Sequence, residues 1–374
     1  MTDDAIYLDH NATTPIAREV AEAMWPHLTE VFGNPSSTTA QGQRARKAVE
    51  HAREQLAALL GAHPDEIVFT SGGTEANNLA IRGAAALART EVAVTSAVEH
   101  PATTTPLAHL RRRRGWRVDQ LPVDARARIA LDRMPPGEVG LGTLVLAHNE
   151  TGTVQPVRGF AEEIRSRGGL AHADAAQAVG KIPVSVDELG VDLLSVAGHK
   201  FCAPKGVGAL YLRRGTSIAP VLLGAGQEGG IRPGTENVPG IVALGAAAEL
   251  AGTLLDAERV RQTRLRERLW DRLAARLPGL LRISPAEEAL PNTLLVVVPG
   301  RVGAEVLAGA PGVAAATGSA CHAGTRTPSA ALLATGLDAD LALGALRLSL
   351  GRSTTRAQVD RAADALARSA NARS

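Results

Sequence analysis

The segment GGLAHADAAQAVGKIPVSVDELGVDLLSVAGHK, residues 168–200, decides the fold that we expect. Two short β-rich runs, GGLAHAD and DLLSVAG, stand on either side of a helix-patterned stretch. Such a unit predicts two parallel strands joined by a crossover connection. Polar side chains follow each run, Asp174 at the end of the first, and His199 and Lys200 after the second.

The same alternation continues in both directions along the chain. Five further β-rich runs, EIVFT, EVAVTSA, WRVDQLPV, GTLVLAHNE and VGALYL, alternate with helix-patterned segments. The pattern predicts an α/β fold around a mostly parallel sheet. From residue 240 to about residue 277 the sequence predicts one long amphipathic helix between two domains. Single cores stop growing at roughly 250–300 residues, so a chain of 374 residues is expected to form two domains.

The composition is that of an ordinary soluble globular protein, with a formal net charge of +2 and 45% hydrophobic residues. The basic run Arg111 to Arg114 precedes Gly115, which suits a helix C-terminus better than a nucleic-acid patch. The acidic N-terminus has no apolar signal region, and later apolar runs are too short to span a bilayer. We therefore expect a cytoplasmic protein without membrane or direct nucleic-acid partners.

Lysine is rare in this chain. Of the 40 basic residues only four are lysine, and two of them, Lys200 and Lys205, fall in the stretch SVAGHKFCAPKG. Arginine can replace lysine in most ion pairs, but a guanidinium cannot deprotonate usefully or condense with an aldehyde. The stretch therefore predicts a lysine that is kept for the chemistry of its amine.

Residues that follow the predicted strands form a coherent set. The run EIVFT is followed by SGGTEANN, in which Ser71, Gly73 and Thr74 predict either a phosphate-binding helix start or an ordinary helix cap. Asp174, at the end of the run GGLAHAD, could be a carboxylate of a ligand site or, equally well, the N-cap of the helix-patterned segment that follows it. Ligands of doubly wound sheets bind at the carboxyl ends of the strands. An anion site, an acid and an amine at successive strand ends are what pyridoxal phosphate requires.

Two other motifs are weaker. GAGQEG, residues 224–229, fits the dinucleotide pattern GxGxxG, but the glycines and prolines that follow it forbid the helix which that pattern should open. His172, Asp174, His199 and Cys321 do not have a recognisable metal-ligand spacing. We therefore expect neither a nicotinamide cofactor nor a metal.

Several long motifs, which follow one another along the chain, carry a resemblance to a known family. They include YLDHNATTP, FTSGGTEANNLAIRG, SAVEHPA, NETGTVQP, HADAAQAVGK, GHKFCAPKGVGALY, GQEGGIRPGTENVPG, TGSACHAG and LRLSLGR. The chain resembles the cysteine desulfurases of the NifS and IscS type, in the class V aminotransferase family, and also selenocysteine lyases. The resemblance implies the aspartate aminotransferase (type I) fold of pyridoxal-phosphate enzymes, with a seven-stranded sheet. It implies a large domain at 15–257 and a smaller α+β domain, formed by 1–14 and 258–374, that carries a catalytic cysteine loop.

The resemblance also implies roles for individual residues. Lys200 would bind the cofactor covalently, Asp174 would pair with its pyridinium nitrogen, and His100 would stack on its ring and take part in catalysis. Thr235 would reach the phosphate of a neighbouring subunit, which makes a homodimer part of the prediction. The remaining cofactor contacts implied are Asn149 and Gln177 at the phenolic oxygen, and Gly73, Thr74 and His199 at the phosphate. Ala197 departs from the pattern, because many desulfurases have a phosphate-binding serine there.

Cys321 lies among Gly318, Ser319, Ala320 and Gly324, which suits an exposed loop better than a buried thiol. In the resembling family its thiolate takes sulfur from cysteine, leaving alanine and a persulfide. Arg347 would bind the substrate carboxylate, with Asn11 and Asn149 beside it and Arg352 as a second candidate. Cys202 would pack behind the site. A protein would accept the sulfur; the choice between cysteine and selenocysteine stays open.

Overall fold

A computed structural model describes residues 5–317 and 327–372. The strands are β1 (Ile6–Tyr7), β2 (Ile67–Thr70), β3 (Val92–Ser96), β4 (Arg117–Leu121), β5 (Leu141–Val145), β6 (Leu170–Asp174), β7 (Leu193–Ala197), β8 (Gly208–Leu212), β9 (Leu281–Arg282), β10 (Thr293–Val297), β11 (Val313–Ala314) and β12 (Ala345–Ser349). The helices are α1 (Arg18–Thr29), α2 (Ala40–Leu60), α3 (Gly73–Leu87), α4 (Pro101–Arg114), α5 (Val157–Ser166), α6 (Val186–Leu189), α7 (Val238–Ala274), α8 (Gly303–Ala308), α9 (Ala330–Ala334), α10 (Ala339–Ala342) and α11 (Arg356–Asn371).

The central feature is a seven-stranded sheet with the order β2-β8-β7-β6-β5-β3-β4. The pairs within β4-β3-β5-β6-β7 are parallel, and β8 runs antiparallel to both β2 and β7. The seven β-rich runs of the sequence are these seven strands, which confirms the predicted α/β class. Strands β5, β6 and β7 are buried nearly throughout because helices cover both faces of the sheet.

Helices cover the two faces of the large sheet in separate groups. Residues of α3 and α4 pack on one face, while those of α2, α5 and the first half of α7 pack on the other. Helix α4 ends in Arg111 to Arg114, followed by Gly115 in a left-handed conformation with φ 73°. The basic run therefore lies at a helix C-terminus, as the sequence predicted.

Helix α7 is the long helix that the sequence predicted, and it contributes to two cores. Its first half packs with the large sheet, whereas Leu265, Leu269 and Leu273 pack with β10, β12 and α11. The second core also holds Ile6 and Leu8, so the beginning and the end of the chain meet there. The smaller sheets around it are the antiparallel β12-β10-β9 and the parallel pair β1-β11.

Within the described residues α7 is also the one helix long and apolar enough to cross a membrane by length and composition. Its apolar half lies against α1 and α2 and is buried at Ile241, Leu244 and Ala248. Packing on both a sheet and two helices accounts for this hydrophobicity. We therefore describe α7 as a core helix.

In the GAGQEG segment, the side chain of Glu228 forms a buried ion pair with Arg53, which we call the Glu228 anchor. The segment does not form a dinucleotide-binding loop. Glu228 has φ 47° and lies in a short 3-10 turn, and the next α-helix begins only at Val238. The Glu228 carboxylate accepts hydrogen bonds from Arg53 at 2.8 and 3.0 Å and from the backbone N–H of Phe69 at 2.8 Å. The side chain of Glu228 is only 4% exposed. Its buried negative charge is therefore stabilised by these hydrogen-bond donors rather than by water.

This anchor generates a stability prediction. Arg53→Met leaves the Glu228 carboxylate buried without its cation, and we expect a loss of about 3–5 kcal/mol in the free energy of unfolding. The double variant Arg53→Met/Glu228→Gln removes the charge but keeps an acceptor for Phe69, so it should be more stable than the single variant. Urea unfolding of both proteins measures this, and a double variant less stable than Arg53→Met would contradict the assignment.

Candidate active site

The site begins at the carboxyl ends of β6 and β7. Asp174 is the last residue of β6, opposite Ser195 in the register of β7. Lys200 ends a 3-10 turn, residues 198–200, that directly follows β7. The parallel register therefore places the predicted acid and the predicted amine at one edge of the sheet.

Asp174 is held in a buried hydrogen-bond network and is 4% exposed. Its Oδ2 accepts a hydrogen bond from Asn77 Nδ2 at 2.7 Å, and its Oδ1 accepts one from the backbone N–H of Ala176 at 3.0 Å. Asn77 belongs to α3, which begins at the predicted phosphate-binding residues Gly73 and Thr74 (the phosphate cradle). This contact therefore connects the Asp174 carboxylate to that helix. The carboxylate is thus fixed in orientation before any ligand binds.

His172 lies two residues earlier on β6 and supports the sheet beneath the site. Its Nδ1 is hydrogen-bonded to Thr143 Oγ1 at 2.7 Å and its Nε2 to Ser195 Oγ at 2.9 Å. Burial lowers the pKa of His172 to about 4, opposed by the charge of Asp174. Both ring nitrogens have hydroxyl partners, so the ring is a neutral link across β5, β6 and β7.

Lys200 and Lys181 converge on Asn11. Lys200 Nζ donates to the backbone carbonyls of Asn11 and Ala12 at 2.7 and 2.8 Å. Lys181 Nζ donates to Asn11 Oδ1 at 3.1 Å and to Gln177 Oε1 at 2.6 Å, while Gln177 Nε2 donates to the Asn11 carbonyl at 2.9 Å. Burial, together with the positive charges of Lys200 and Arg347, lowers the pKa of Lys181 well below its usual value.

Asn11 also connects the large sheet to the smaller ones and is 1% exposed. Its Nδ2 donates to Thr293 Oγ1 at 2.8 Å and to the Asn149 carbonyl at 3.1 Å. Its Oδ1 accepts from Asn292 Nδ2 at 3.0 Å, and its backbone N–H donates to Ser349 Oγ at 3.0 Å. The predicted substrate residues Asn11 and Asn149 are therefore adjacent.

The predicted phosphate cradle is the first turn of α3, where Gly73 and Thr74 follow Gly72 with φ 146°. The first N–H groups of a helix have no intrahelical acceptors, and the helix dipole favours an anion there. A Cβ placed on Gly73 would lie 3.1 Å from the Cβ of Ala197. Residue 197, where the sequence departs from the family pattern, therefore faces the cradle.

Burial and the charge of Lys200 both lower the pKa of two histidines, His199 and His100. His199 Nδ1 is hydrogen-bonded to Thr13 Oγ1 at 3.1 Å, and burial plus the charge of Lys200 lowers its pKa to about 4. His100 is the exposed N-cap of α4, and its Nδ1 accepts from the Ala102 N–H at 3.0 Å. Desolvation by the surrounding protein lowers the pKa of His100, and the charge of Asp174 opposes the shift.

Arg347 lies on β12 and is 2% exposed. Its Nη2 donates to Asp9 Oδ1 at 2.7 Å and its Nη1 to the Asn149 carbonyl at 3.5 Å, while its Nε is buried without a partner among residues 5–317 and 327–372. Its backbone pairs with Ala316, two residues before Gly318. The guanidinium thus retains donor capacity next to the chain that leads to residue 321.

Of the remaining predicted residues, Thr235 and Lys205 do not join this cluster. Cys321 and the neighbouring His322 lie outside the described residues. Thr235 is exposed on the segment before α7 and has no hydrogen bond within the described part of the chain. Lys205 is exposed, which leaves Lys200 as the amine of this stretch. Cys202 adopts a left-handed conformation with φ 72°, and its N–H donates to Thr14 Oγ1 at 2.8 Å.

Sequence reasoning missed three residues of the cluster. Asn77 and Glu99 were not distinguishable from other polar residues, because their contacts to Asp174 and to β5 depend on how the elements pack. Lys181 could have been found, since it is one of only four lysines in a chain that otherwise uses arginine.

Glu99 is a buried carboxyl group beside the cluster. Its Oε1 accepts from Ser96 Oγ at 2.6 Å and from the Val145 N–H at 3.0 Å, whereas its Oε2 is buried without a partner in the described ranges. Burial raises the pKa of Glu99 to about 8, and the charge of Asp174 adds to the shift. At neutral pH Glu99 is therefore largely protonated.

The raised pKa of Glu99 generates a pH prediction. The folded protein keeps a proton that the unfolded chain releases near pH 4.5, so this group lowers the free energy of unfolding as pH rises from about 4.5 to about 8. Glu99→Gln has no such titration, so its stability relative to the native protein should increase over this range and level off above it. Urea unfolding at pH 6 and pH 8.5 tests this, and a pH-independent difference would contradict it.

Comparisons with known proteins agree with this architecture. The family model described as aminotransferase class-V matches residues 6–362. A cysteine desulfurase of Trichormus azollae is 46% identical over 363 residues, which cover 95% of this chain and 90% of that protein. Among solved structures, a NifS-like protein matches with a TM-score of 0.90 and 35% identity, covering 97% of this chain and 98% of that one.

A second solved structure, SspA in complex with cysteine, matches with a TM-score of 0.80 and 34% identity over 92% of this chain and 98% of the other. These likenesses confirm the type I fold of pyridoxal-phosphate enzymes that the sequence led us to expect, and with it the cofactor. The chain belongs to the class-V aminotransferase family.

Proposed function

We propose that this protein is a pyridoxal-phosphate-dependent cysteine desulfurase. It removes the sulfur of L-cysteine, leaves L-alanine, and passes the sulfur through Cys321 to an acceptor protein. The observation that carries the proposal is the convergence of Lys200, Asp174 and the first turn of α3 at one edge of the sheet. Relatives that match nearly the whole chain are named cysteine desulfurases.

The described residues fit the cofactor. The first turn of α3, which includes Thr74, offers backbone N–H groups to a phosphate, and we assign His199 to the phosphate as well. Asp174 has its orientation fixed by Asn77, which suits a carboxylate that pairs with a pyridinium nitrogen. The exposed ring of His100 would cover the face of the cofactor, and Gln177 and Asn149 would flank its phenolic oxygen. When bound, pyridoxal phosphate supplies an electron sink for charge that develops at the substrate α carbon.

The side chain of Ala197 faces the phosphate cradle but has no polar atom that could donate a hydrogen bond. The Cβ of Ala197 lies close to the position that a Cβ on Gly73 would take, so a side-chain hydroxyl at residue 197 would point towards the phosphate. We infer that this chain holds the phosphate with one donor fewer than desulfurases that have serine there.

Lys200 supplies the amine of the site. Its Nζ donates hydrogen bonds to the Asn11 and Ala12 carbonyls, and these two bonds fix the position of the amine near the end of β7. We assign to Lys200 the covalent attachment of the cofactor and, once its amine is released, removal of the proton from the substrate α carbon.

Arg347 suits the substrate carboxylate. Asp9 accepts a hydrogen bond from Nη2, and Nε has no partner among the described residues, so the guanidinium retains donor capacity. A bidentate contact would place the substrate next to Asn11 and Asn149. Arg352, the second candidate, lines a cavity whose wall also includes Lys181 and Lys200.

Cys321 would complete the reaction. Its thiolate attacks the substrate sulfur, so an S–S bond forms on Cys321 as the substrate C–S bond breaks. The β carbon of the departing product gains a proton, which yields alanine and a cysteine persulfide. The described residue Ala316 pairs with Arg347, so the chain approaches residue 321 from beside the proposed carboxylate site.

We also propose the domain division 15–257 and 1–14 with 258–374, and a cytoplasmic location. The two hydrophobic cores that share α7 support the division. The small number of cysteines and the net charge of +2 support the location.

A homodimer is part of the proposal, since Thr235 would reach the neighbouring subunit. Its support is an exposed apolar patch formed by Trp25 and Leu28 on α1 and by Phe32 just beyond it, with exposed fractions of 63%, 51% and 77%. Trp25 and Leu28 are three residues apart and so lie on one side of α1, and Phe32 follows the end of that helix. Such a patch is typical of a protein interface.

The patch generates a prediction about assembly. We expect a dimer in analytical ultracentrifugation at micromolar concentration, and we expect Trp25→Glu to weaken dimerisation at least tenfold because it introduces a charge into an apolar contact. Val260→Glu changes an exposed apolar residue of α7 outside the patch and should leave the dimer intact. A monomeric native protein would refute the proposal.

The reaction is tested with the two cysteines as a matched pair. Cys321→Ala should retain the cofactor absorbance yet lose alanine release from L-cysteine by at least a hundredfold, because the sulfur has no acceptor thiol. Cys202→Ala should keep activity within about twofold. Full activity of Cys321→Ala would exclude it as the nucleophile. The same assay with L-selenocysteine decides the alternative, since turnover of that substrate alone would identify a selenocysteine lyase.

A further inference from the structure

Lys181 lies in the active-site cluster but has no role in the proposed reaction. Its Nζ donates hydrogen bonds to Gln177 Oε1 at 2.6 Å and to Asn11 Oδ1 at 3.1 Å. Gln177 is 5% exposed and Asn11 is 1% exposed, so both amides lie inside the protein. We assign Gln177 to the cofactor and Asn11 to the substrate. Lys181 therefore contacts two residues of the site without being one of its ligands.

The backbone before Lys181 packs closely against the segment that carries Lys200. Gly180 adopts a left-handed conformation with φ 75°, and a Cβ placed on it would lie 2.7 Å from the Cβ of Phe201. Any other residue at position 180 would be strained and would push the two segments apart. Glycine at this position thus allows the side chain of Lys181 to reach the amides of Asn11 and Gln177.

The contact with Lys181 determines which end of the Gln177 amide faces it. A lysine ammonium group has three hydrogen-bond donors and no acceptor, so the amide turns its oxygen towards Lys181. The amide nitrogen then lies on the other side, where it donates to the Asn11 carbonyl at 2.9 Å. The lowered pKa of Lys181 does not change this orientation, because a neutral amine still has two N–H groups for the same two acceptors.

The nitrogen end of the Gln177 amide lies next to the Lys200 amine. Lys200 Nζ donates to the same Asn11 carbonyl oxygen at 2.7 Å, so one oxygen atom joins the two donors. In pyridoxal phosphate the phenolic oxygen neighbours the aldehyde carbon that condenses with an amine. The second N–H of Gln177 has no acceptor within residues 5–317 and 327–372, and it is available to that phenolic oxygen.

We propose that Lys181 is a positioning residue, which fixes the Gln177 amide so that an N–H, and not the oxygen, faces the phenolic oxygen of the cofactor. This role rests on the proposed function. A hydrogen bond to the charged form of a group favours that form, so the contact stabilises the phenolic oxygen as an anion. Without Lys181 the Gln177 oxygen loses its donor, and the amide is free to turn round.

The test is the pH dependence of the visible absorbance of the bound cofactor, measured on the cofactor-loaded protein. The transition reports protonation at the phenolic oxygen and the nitrogen beside it, so loss of a donor to that oxygen should move it to higher pH. We expect an upward shift of about half a pH unit or more in Lys181→Met and in Gln177→Met. Lys205→Met removes an exposed lysine outside the cluster and should leave the transition unchanged.

A double variant separates positioning from a direct effect of the Lys181 charge. In the Gln177→Met background Lys181→Met should add no further shift, because its effect passes through the Gln177 amide. Additive shifts, or no shift in Lys181→Met, overturn the proposal. A native protein without cofactor absorbance would refute the proposed function and this role with it, whereas a loaded native protein whose transition Lys181→Met does not move would refute the role alone.

Lys181→Arg is the conservative variant, and it decides the question even where Lys181→Met does not fold. A guanidinium has five N–H donors and no acceptor, so the Gln177 oxygen should still face residue 181. The absorbance transition should therefore stay at the native pH. A shift in Lys181→Arg as large as that of Gln177→Met would overturn the proposal, because a donor at residue 181 would then not orient the amide.

Discussion

The buried amide and backbone of Asn11 hold together groups from distant parts of the chain. Lys200, Lys181 and Gln177 contact it from the large sheet, and Asn292, Thr293 and Ser349 contact it from the smaller one. Each of these bonds fixes a donor or acceptor that would be costly to leave unpaired inside the protein. The position of the Lys200 amine, to which we assign the catalytic role, therefore depends on correct docking of residues 5–14 between both sheets.

The second constraint is the direction of the strands. Strands β5, β6 and β7 are parallel, so the residues that follow them emerge on one edge of the sheet. Asp174 and Lys200 come from different strands, and the first turn of α3 is added through the contact of Asn77 with Asp174. Short connections whose geometry is fixed by the sheet thus bring together a helix start, an acid and an amine, the three groups that we assign to the cofactor.

Much of this arrangement could be predicted because it follows from local pattern. The β-rich runs predicted the seven strands, and the polar residues directly after them singled out Asp174, Lys200 and Gly73, which lie at one edge of the sheet and to which we assign the cofactor. Asn77, Glu99 and Lys181 could not be found in that way, since each reaches the site from a helix or loop whose packing no local pattern encodes. The roles of Thr235 and Cys321 came from family resemblance, because neither residue is marked by periodicity.

The electrostatics of the site explain why its natural occupants are anions. Lys181, Lys200 and Arg347 are gathered within a largely buried region, where Arg347 engages Asp9, Asn77 engages Asp174, and Glu99 is largely protonated at neutral pH. The lowered pKa values of Lys181 and His199 show that additional positive charge is unfavourable there. A phosphate or a carboxylate that binds here neutralises this positive charge. The free energy of ion pairing then offsets the free energy of hydration that the anion loses. Burial of the cations therefore contributes binding energy for anionic ligands.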